Sequence, residues 1–119
     1  MKLIPIYRVT TYVPPSDLER VLSSILKVVS LRHGNYEEVA WWSEATTEQF
    51  KPLSGANPTS GASNALERLD SIALQFALPR DSGLLLRVLT DGLIQSHPWE
   101  EPAIVVEEAF MTLIHTEGD

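Results

Sequence analysis

The stretch His97-Pro98-Trp99-Glu100-Glu101-Pro102 holds the side chains with most scope for chemistry. An imidazole with two carboxylates three and four positions away is a possible donor set for a divalent metal. Pro98 and Pro102 prevent a regular helix there, so the pattern is not the one-face geometry of a zinc-protease helix. Pro102 also biases Glu101 toward an extended backbone. The same six residues can instead form a rigid helix-to-strand corner, locked by its prolines and anchored by Trp99. That structural reading stands first. A polar ligand or protein contact stands second, and a metal site of His97, Glu100 and Glu101 third.

A second candidate is Arg32-His33-Gly34-Asn35-Tyr36. Gly and Asn tolerate left-handed backbone, which can aim successive amides at an anion. An ordinary helix-to-strand turn uses the same residue types and is the simpler reading. A third is Trp41-Trp42, which strand geometry puts on opposite faces. One indole is expected under the helices. The other is expected on the open sheet face, where a subunit contact covers it more readily than an aromatic ligand does.

Several chemistries are absent from the sequence. There is no cysteine, hence no thiolate nucleophile, disulfide or soft metal site. Gly55 and Gly61 lack the lysine and hydroxyl of a phosphate loop. No Gly-x-Ser-x-Gly occurs, and spacing supports no triad around His97. Glu37-Glu38 and Glu107-Glu108 read as solvated charges. No residue is assigned to catalysis, and no cofactor is expected beyond the divalent metal just described. The formal net charge is −7, and the nine Lys and Arg residues are not clustered, which argues against nucleic acid as a partner. No run of about 18 apolar residues suggests a membrane span, and the apolar start Met1–Ile6 is too short for a signal peptide. The expected location is cytoplasmic, or else nuclear.

The elements that must position these residues are legible from periodicity. The 119 residues read as one domain. Tyr7, Val9, Thr11 and Val13 alternate with polar residues as in a strand, which Pro14-Pro15 ends. Ser16-Asp17-Leu18-Glu19 reads as a capping box. A helix over 17–29 follows, with Leu18, Val21, Leu22, Ile25, Leu26 and Val29 on one side. Strands are expected over 39–45 and, more briefly, 49–53, then a turn-rich loop over 54–64. The strand at 65–78 puts Ile72, Leu74, Phe76 and Leu78 on one face. Asp81 or Ser82 caps a second helix, which Pro98 stops, and 103–114 is a last strand. Two strand–helix–strand units around a hairpin predict an α+β, ferredoxin-like βαββαβ sandwich, with helices on one face of an antiparallel sheet.

Three segments resemble one family. They are Gly34-Asn35-Tyr36-Glu37 with Trp41, then Gln49-Phe50-Lys51-Pro52-Leu53-Ser54-Gly55-Ala56-Asn57-Pro58 with Gly61, then His97-Pro98-Trp99-Glu100-Glu101-Pro102-Ala103. In this order, from about Tyr7 to about Phe110, they are similar to the YqfO-type domain. That domain stands alone in some bacteria and is inserted in Nif-three-like proteins, which are called GTP cyclohydrolase 1 type 2 homologues. The resemblance implies a CutA/PII-like fold and a homo-oligomer, a trimer ahead of a dimer. It does not imply the family's dinuclear metal site, which lies in flanking domains; His33, His97 and His115 are scattered. The chain departs from the family in three places. Thr46-Thr47-Glu48 stand where glycines are usual, with one extra residue. Trp99 replaces a tyrosine. Val105 or Val106 replaces an aspartate.

The expected function is therefore a non-catalytic oligomeric module. Clefts between its subunits, lined by Asn35-Tyr36 and the His97–Glu101 corner, bind a small ligand or a protein partner. Candidate ligand or interface residues are His33, Asn35, Tyr36, Trp41, Trp42, Phe50, His97, Trp99, Glu100 and Glu101. The alternatives are a metal protein or enzyme using His97 with Glu100 or Glu101, and an interaction protein acting through a tryptophan surface.

Overall fold

The computed structural model describes residues 1–115. Strand β1 (Lys2–Val13) is followed by a 3₁₀ turn (Pro15–Asp17) and helix α1 (Leu18–Leu26). Then come β2 (Trp41–Trp42), β3 (Thr46–Phe50) and β4 (Glu67–Pro79). Helix α2 (Ser82–Arg87) continues into a π-helical stretch (Val88–Ile94), and β5 (Ile104–Leu113) is the last element among the described residues. The sheet order is β2-β4-β1-β5, with β3 also on β4 and every pairing antiparallel.

The register divides the sheet into two faces, because directly paired residues point the same way. Val9 pairs with Phe76 and Val106, and Val13 with Ile72. This face packs on Leu18, Val21 and Ile25 of α1 and on Val88 and Leu93. The alternation in 7–13 and 72–78 thus marks the core face as expected. The opposite face carries Thr10 and Tyr12 of β1, Gln75 of β4, Trp41 of β2 and Val105 of β5. Neither helix covers it.

Three local expectations are corrected. The capping box does not form: Asp17 is the N-cap but makes no side-chain cap hydrogen bond, and its carboxylate binds Arg20 at 2.9 Å instead. Pro14-Pro15 lead into a 3₁₀ turn that already contains Ser16, so the serine cannot serve as cap. At the second helix the expected cap is real, with Asp81 Oδ1 accepting from the amides of Gly83 and Leu84. The strand expected over 39–45 shrinks to Trp41–Trp42 because the chain bulges at Ser43: the Ser43 hydroxyl accepts the Ala73 amide at 2.9 Å. The tryptophan pair does straddle the sheet, yet neither indole is buried, at 48% and 51% exposure. Trp42 lies on the helix side, but β2 is an edge strand that the helices do not reach across.

Gly92 is where α1 and the π-helical stretch meet. A Cβ there would stand 3.3 Å from the Ile25 Cα, a backbone atom that cannot swing aside. Gly92→Val should therefore cost ~2 kcal/mol or more, since overpacking a filled core costs about 1–3 kcal/mol and β-branching adds rotamer strain. Urea unfolding of the variant beside wild type measures it.

Beyond Val13, β4 pairs only with β3, so residues 46–50 and 67–71 form a two-stranded arm. The Cα radius of gyration is 16.2 Å, against roughly 13.5 Å for a compact chain of this length. At about 3.3 Å per residue the arm's five pairs add roughly 16 Å to a sheet whose long axis is 57 Å.

Candidate functional site

The end of the second helix builds the His97 corner from local rules. The Ser96 hydroxyl bonds back to Gly92 O at 2.7 Å, a backbone bond that serine often makes in a last turn. The His97 amide still reaches Leu93 O at 2.8 Å, and Pro98 then ends the run. The His97 side chain is 7% exposed. Its Nε2 lies 2.8 Å from Tyr12 O, and its Nδ1 lies 3.1 Å from the Trp99 amide nitrogen. A carbonyl can only accept and an amide N–H can only donate. The ring is therefore neutral, protonated on Nε2 and accepting at Nδ1. Burial holds its pKa below the ordinary histidine value, partly offset by the Tyr12 carbonyl. The neighbouring charges act oppositely, Asp17 raising the pKa and Arg20 lowering it.

The two longest segments singled out in the sequence meet here. The end of β3 and the loop after it meet the corner at three places. The Asn57 amide donates to both Glu100 carboxylate oxygens, at 3.1 and 3.2 Å. The Thr59 hydroxyl donates to Pro98 O at 2.7 Å. The Phe50 ring packs on Trp99, with centroids 5.8 Å apart and planes tilted by 55°. Within the loop, Ala56 N–H bonds to Leu53 O and Asn64 N–H to Pro52 O. Between arm, loop and corner lies an open cavity of about 1160 Å³. Tyr12, Phe50, Pro52, Trp99, Glu101 and Ala103 are among its walls. The Trp99 indole N–H is buried and has no acceptor among the described residues.

The candidate residues divide into two regions. Phe50, His97, Trp99, Glu100 and Glu101 gather at this junction. His33 and Trp41 line a smaller cavity of about 160 Å³ with Ile4, Ile6 and Met111. Asn35 and Tyr36 are at the tip of the adjoining loop, where Tyr36 is 75% exposed. In that loop His33 and Tyr36 spend their amides on each other's carbonyls, at 2.7 and 3.0 Å, so those two amides are not aimed at an anion. Trp42 lines neither cavity.

The metal reading finds no support in this geometry. Both ring nitrogens of His97 are engaged with backbone groups, and Glu100 holds the Asn57 amide. Among the described residues no three His, Cys, Asp or Glu side chains come together as a metal-ligand group. Glu107 is an ion-pair partner rather than a free solvated charge: it takes the Arg8 guanidinium through contacts of 3.1–3.2 Å in the middle of the bare face.

Sequence reasoning missed Tyr12, Asn57 and Thr59. Asn57-Pro58 was visible as a turn signal, but nothing local announces that its amide meets a carboxylate 43 positions away.

No family model matches the chain. It is 31% identical over 96 residues to the GTP cyclohydrolase 1 type 2 homolog of Staphylococcus epidermidis, covering 81% of this chain and 25% of that protein. The namesake of Staphylococcus aureus is 29% identical over 113 residues, 94% of this chain and 30% of its own length. The chain thus spans about a quarter of the length of the curated relatives it matches. Among solved structures, a Bacillus cereus protein related to NIF3 superposes with a TM-score of 0.72 at 23% identity, over 92% of this chain and 27% of that one. The divalent ion tolerance protein CutA1 of Ehrlichia chaffeensis superposes at 0.60 with 16% identity, over 87% and 80%. Both share the fold. No helix among the described residues is long and apolar enough to cross a membrane.

Proposed function

We propose, for a chain related to a quarter-length segment of the GTP cyclohydrolase 1 type 2 homologues and folded like CutA1, the role of a non-catalytic, self-associating binding module. Copies of the chain cover one another's bare sheet faces. The cavity between hairpin loop and corner receives a small ligand or a segment of a partner protein.

The observation that carries this reading is the uncovered face itself. Trp41 (48% exposed), Val105 (46%) and Tyr12 (37%) stand on the side of the sheet that lacks helices. Large apolar side chains grouped on one side of a small domain favour association. A trimer is the preferred assembly, in line with the family resemblance of the sequence. The non-catalytic part rests on the junction's chemistry: its histidine is neutral and doubly bonded to backbone, and its best-placed carboxylate holds a loop.

Light scattering coupled to size exclusion, at low micromolar concentration and neutral pH, tests the reading. The expected mass is a small multiple of the 13.2 kDa protomer. A clean monomer would overturn it.

A further inference from the structure

Every contact named above between the 50–60 loop and the corner ends on the three residues that follow His97. Thr59 binds Pro98 O, Phe50 packs on Trp99, and Asn57 binds the Glu100 carboxylate. His97 holds those three residues to the sheet, through Nε2 to Tyr12 O and through Nδ1 to the Trp99 amide. One imidazole thus joins β1 to the three residues that hold the loop; the other link between β1 and the corner, from the Thr11 hydroxyl to Ala103 O at 3.1 Å, lies beyond them.

We infer that His97 is a proton-operated latch on the loop cavity: neutral, it holds corner and loop together, and protonated, it releases them and opens the cavity. The chemistry is asymmetric. The Nε2–H bond to Tyr12 O survives protonation and becomes charge-assisted. At Nδ1 the acceptor becomes a donor that faces the Trp99 N–H at 3.1 Å, and two donors cannot bond. The ring therefore stays with β1 while the Trp99 side lets go, so the break is local.

The charges around the ring leave this balance to the ring itself. Asp17, from the 3₁₀ turn, favours the proton; Arg20, from α1, opposes it; the two are paired to each other at 2.9 Å. Tyr12 of β1 offers its carbonyl. On the corner, the Glu100 carboxylate is occupied by the Asn57 amide. Burial disfavours the imidazolium, which keeps the latch closed near neutrality and lets it open on acidification. Regulation of ligand access follows only if the cavity is the binding site proposed above. The latch motion does not depend on that.

Nuclear magnetic resonance of the ¹⁵N-labelled full chain between pH 7.5 and 5.5 tests it. The Trp99, Asn57 and Thr59 amides should shift with the midpoint of the His97 ring carbons, while core pairs of β1 and β4 stay put. Hydrogen exchange at Asn57, corrected for its intrinsic pH dependence, should rise about tenfold or more as the loop opens. His97→Asn offers a carbonyl oxygen near the Nδ1 position and does not titrate, so its loop signals should stay flat. The latch is overturned if the ring titrates while the Asn57 and Thr59 amides do not move. It is equally overturned if the Asn variant shows the same shifts, or if the ring stays neutral until the whole domain unfolds. Oligomer mass is read separately, so failure of the latch and failure of self-association are distinguishable.

Discussion

Replacing His97 with alanine should lower the unfolding free energy by about 2–4 kcal/mol at pH 7.5. The ring is almost wholly buried, and its loss strips partners from Tyr12 O and the Trp99 N–H together. Each buried polar group left unpaired costs ~1–3 kcal/mol, and the vacated space adds a cavity penalty. Urea titration followed by circular dichroism measures the loss. The same experiment across pH separates bonding from mere filling. The folded pKa of His97 lies below the ordinary 6.5, so between the two values the unfolded chain binds the proton and the folded one does not. The contribution of His97 is therefore complete above about pH 6.5 and is lost as pH falls through the folded pKa. Wild type should lose this increment on acidification, and His97→Ala should lack it. Parallel stability profiles for the two proteins would show that the ring only fills space.

Placing a carboxylate on the bare sheet face should take the assembly apart. Val105→Asp puts a charge beside Thr10, in the row that also holds Gln75 and Trp41. Val105 is 46% exposed in the protomer, so the isolated fold should tolerate the change. Burying that charge unpaired against a second copy costs several kcal/mol, which corresponds to more than about a hundredfold in dissociation constant. The expected result is a monomer by light scattering with an unchanged far-ultraviolet spectrum. If the Val105→Asp protein assembles like wild type, the interface lies elsewhere.

Much of the fold was legible because it rests on two long alternations. Val9, Thr11 and Val13, then Ile72, Leu74, Phe76 and Leu78, face one core, and every second position shows it. Elements set by distant partners were not legible. The capping-box pattern at Ser16 is a local rule, and the preceding prolines displaced it with a 3₁₀ turn. Periodicity put Trp41 and Trp42 on opposite faces but could not say how far the helices extend, so the cover expected for Trp42 is missing. At the site, the prolines around Trp99 announced a rigid corner. The residue that fixes it, Tyr12, is 85 positions from His97 and contributes only a backbone oxygen. No residue type or spacing encodes that.

The bulge at Ser43 has a bearing on how such hairpins tolerate change in length. Trp42 opposes Leu74 and Thr46 opposes Ser71, so four steps along one strand match three along the other. In a strand without that irregularity, a single inserted residue would reverse the outlook of everything after it, and Phe50 would point away from Trp99. Here the surplus is absorbed before the arm begins, and the ring arrives on the correct side. Lineages could thus gain or lose one residue upstream of the Gln49-Phe50 pair without dismantling the junction, so long as the kink takes up the difference in parity.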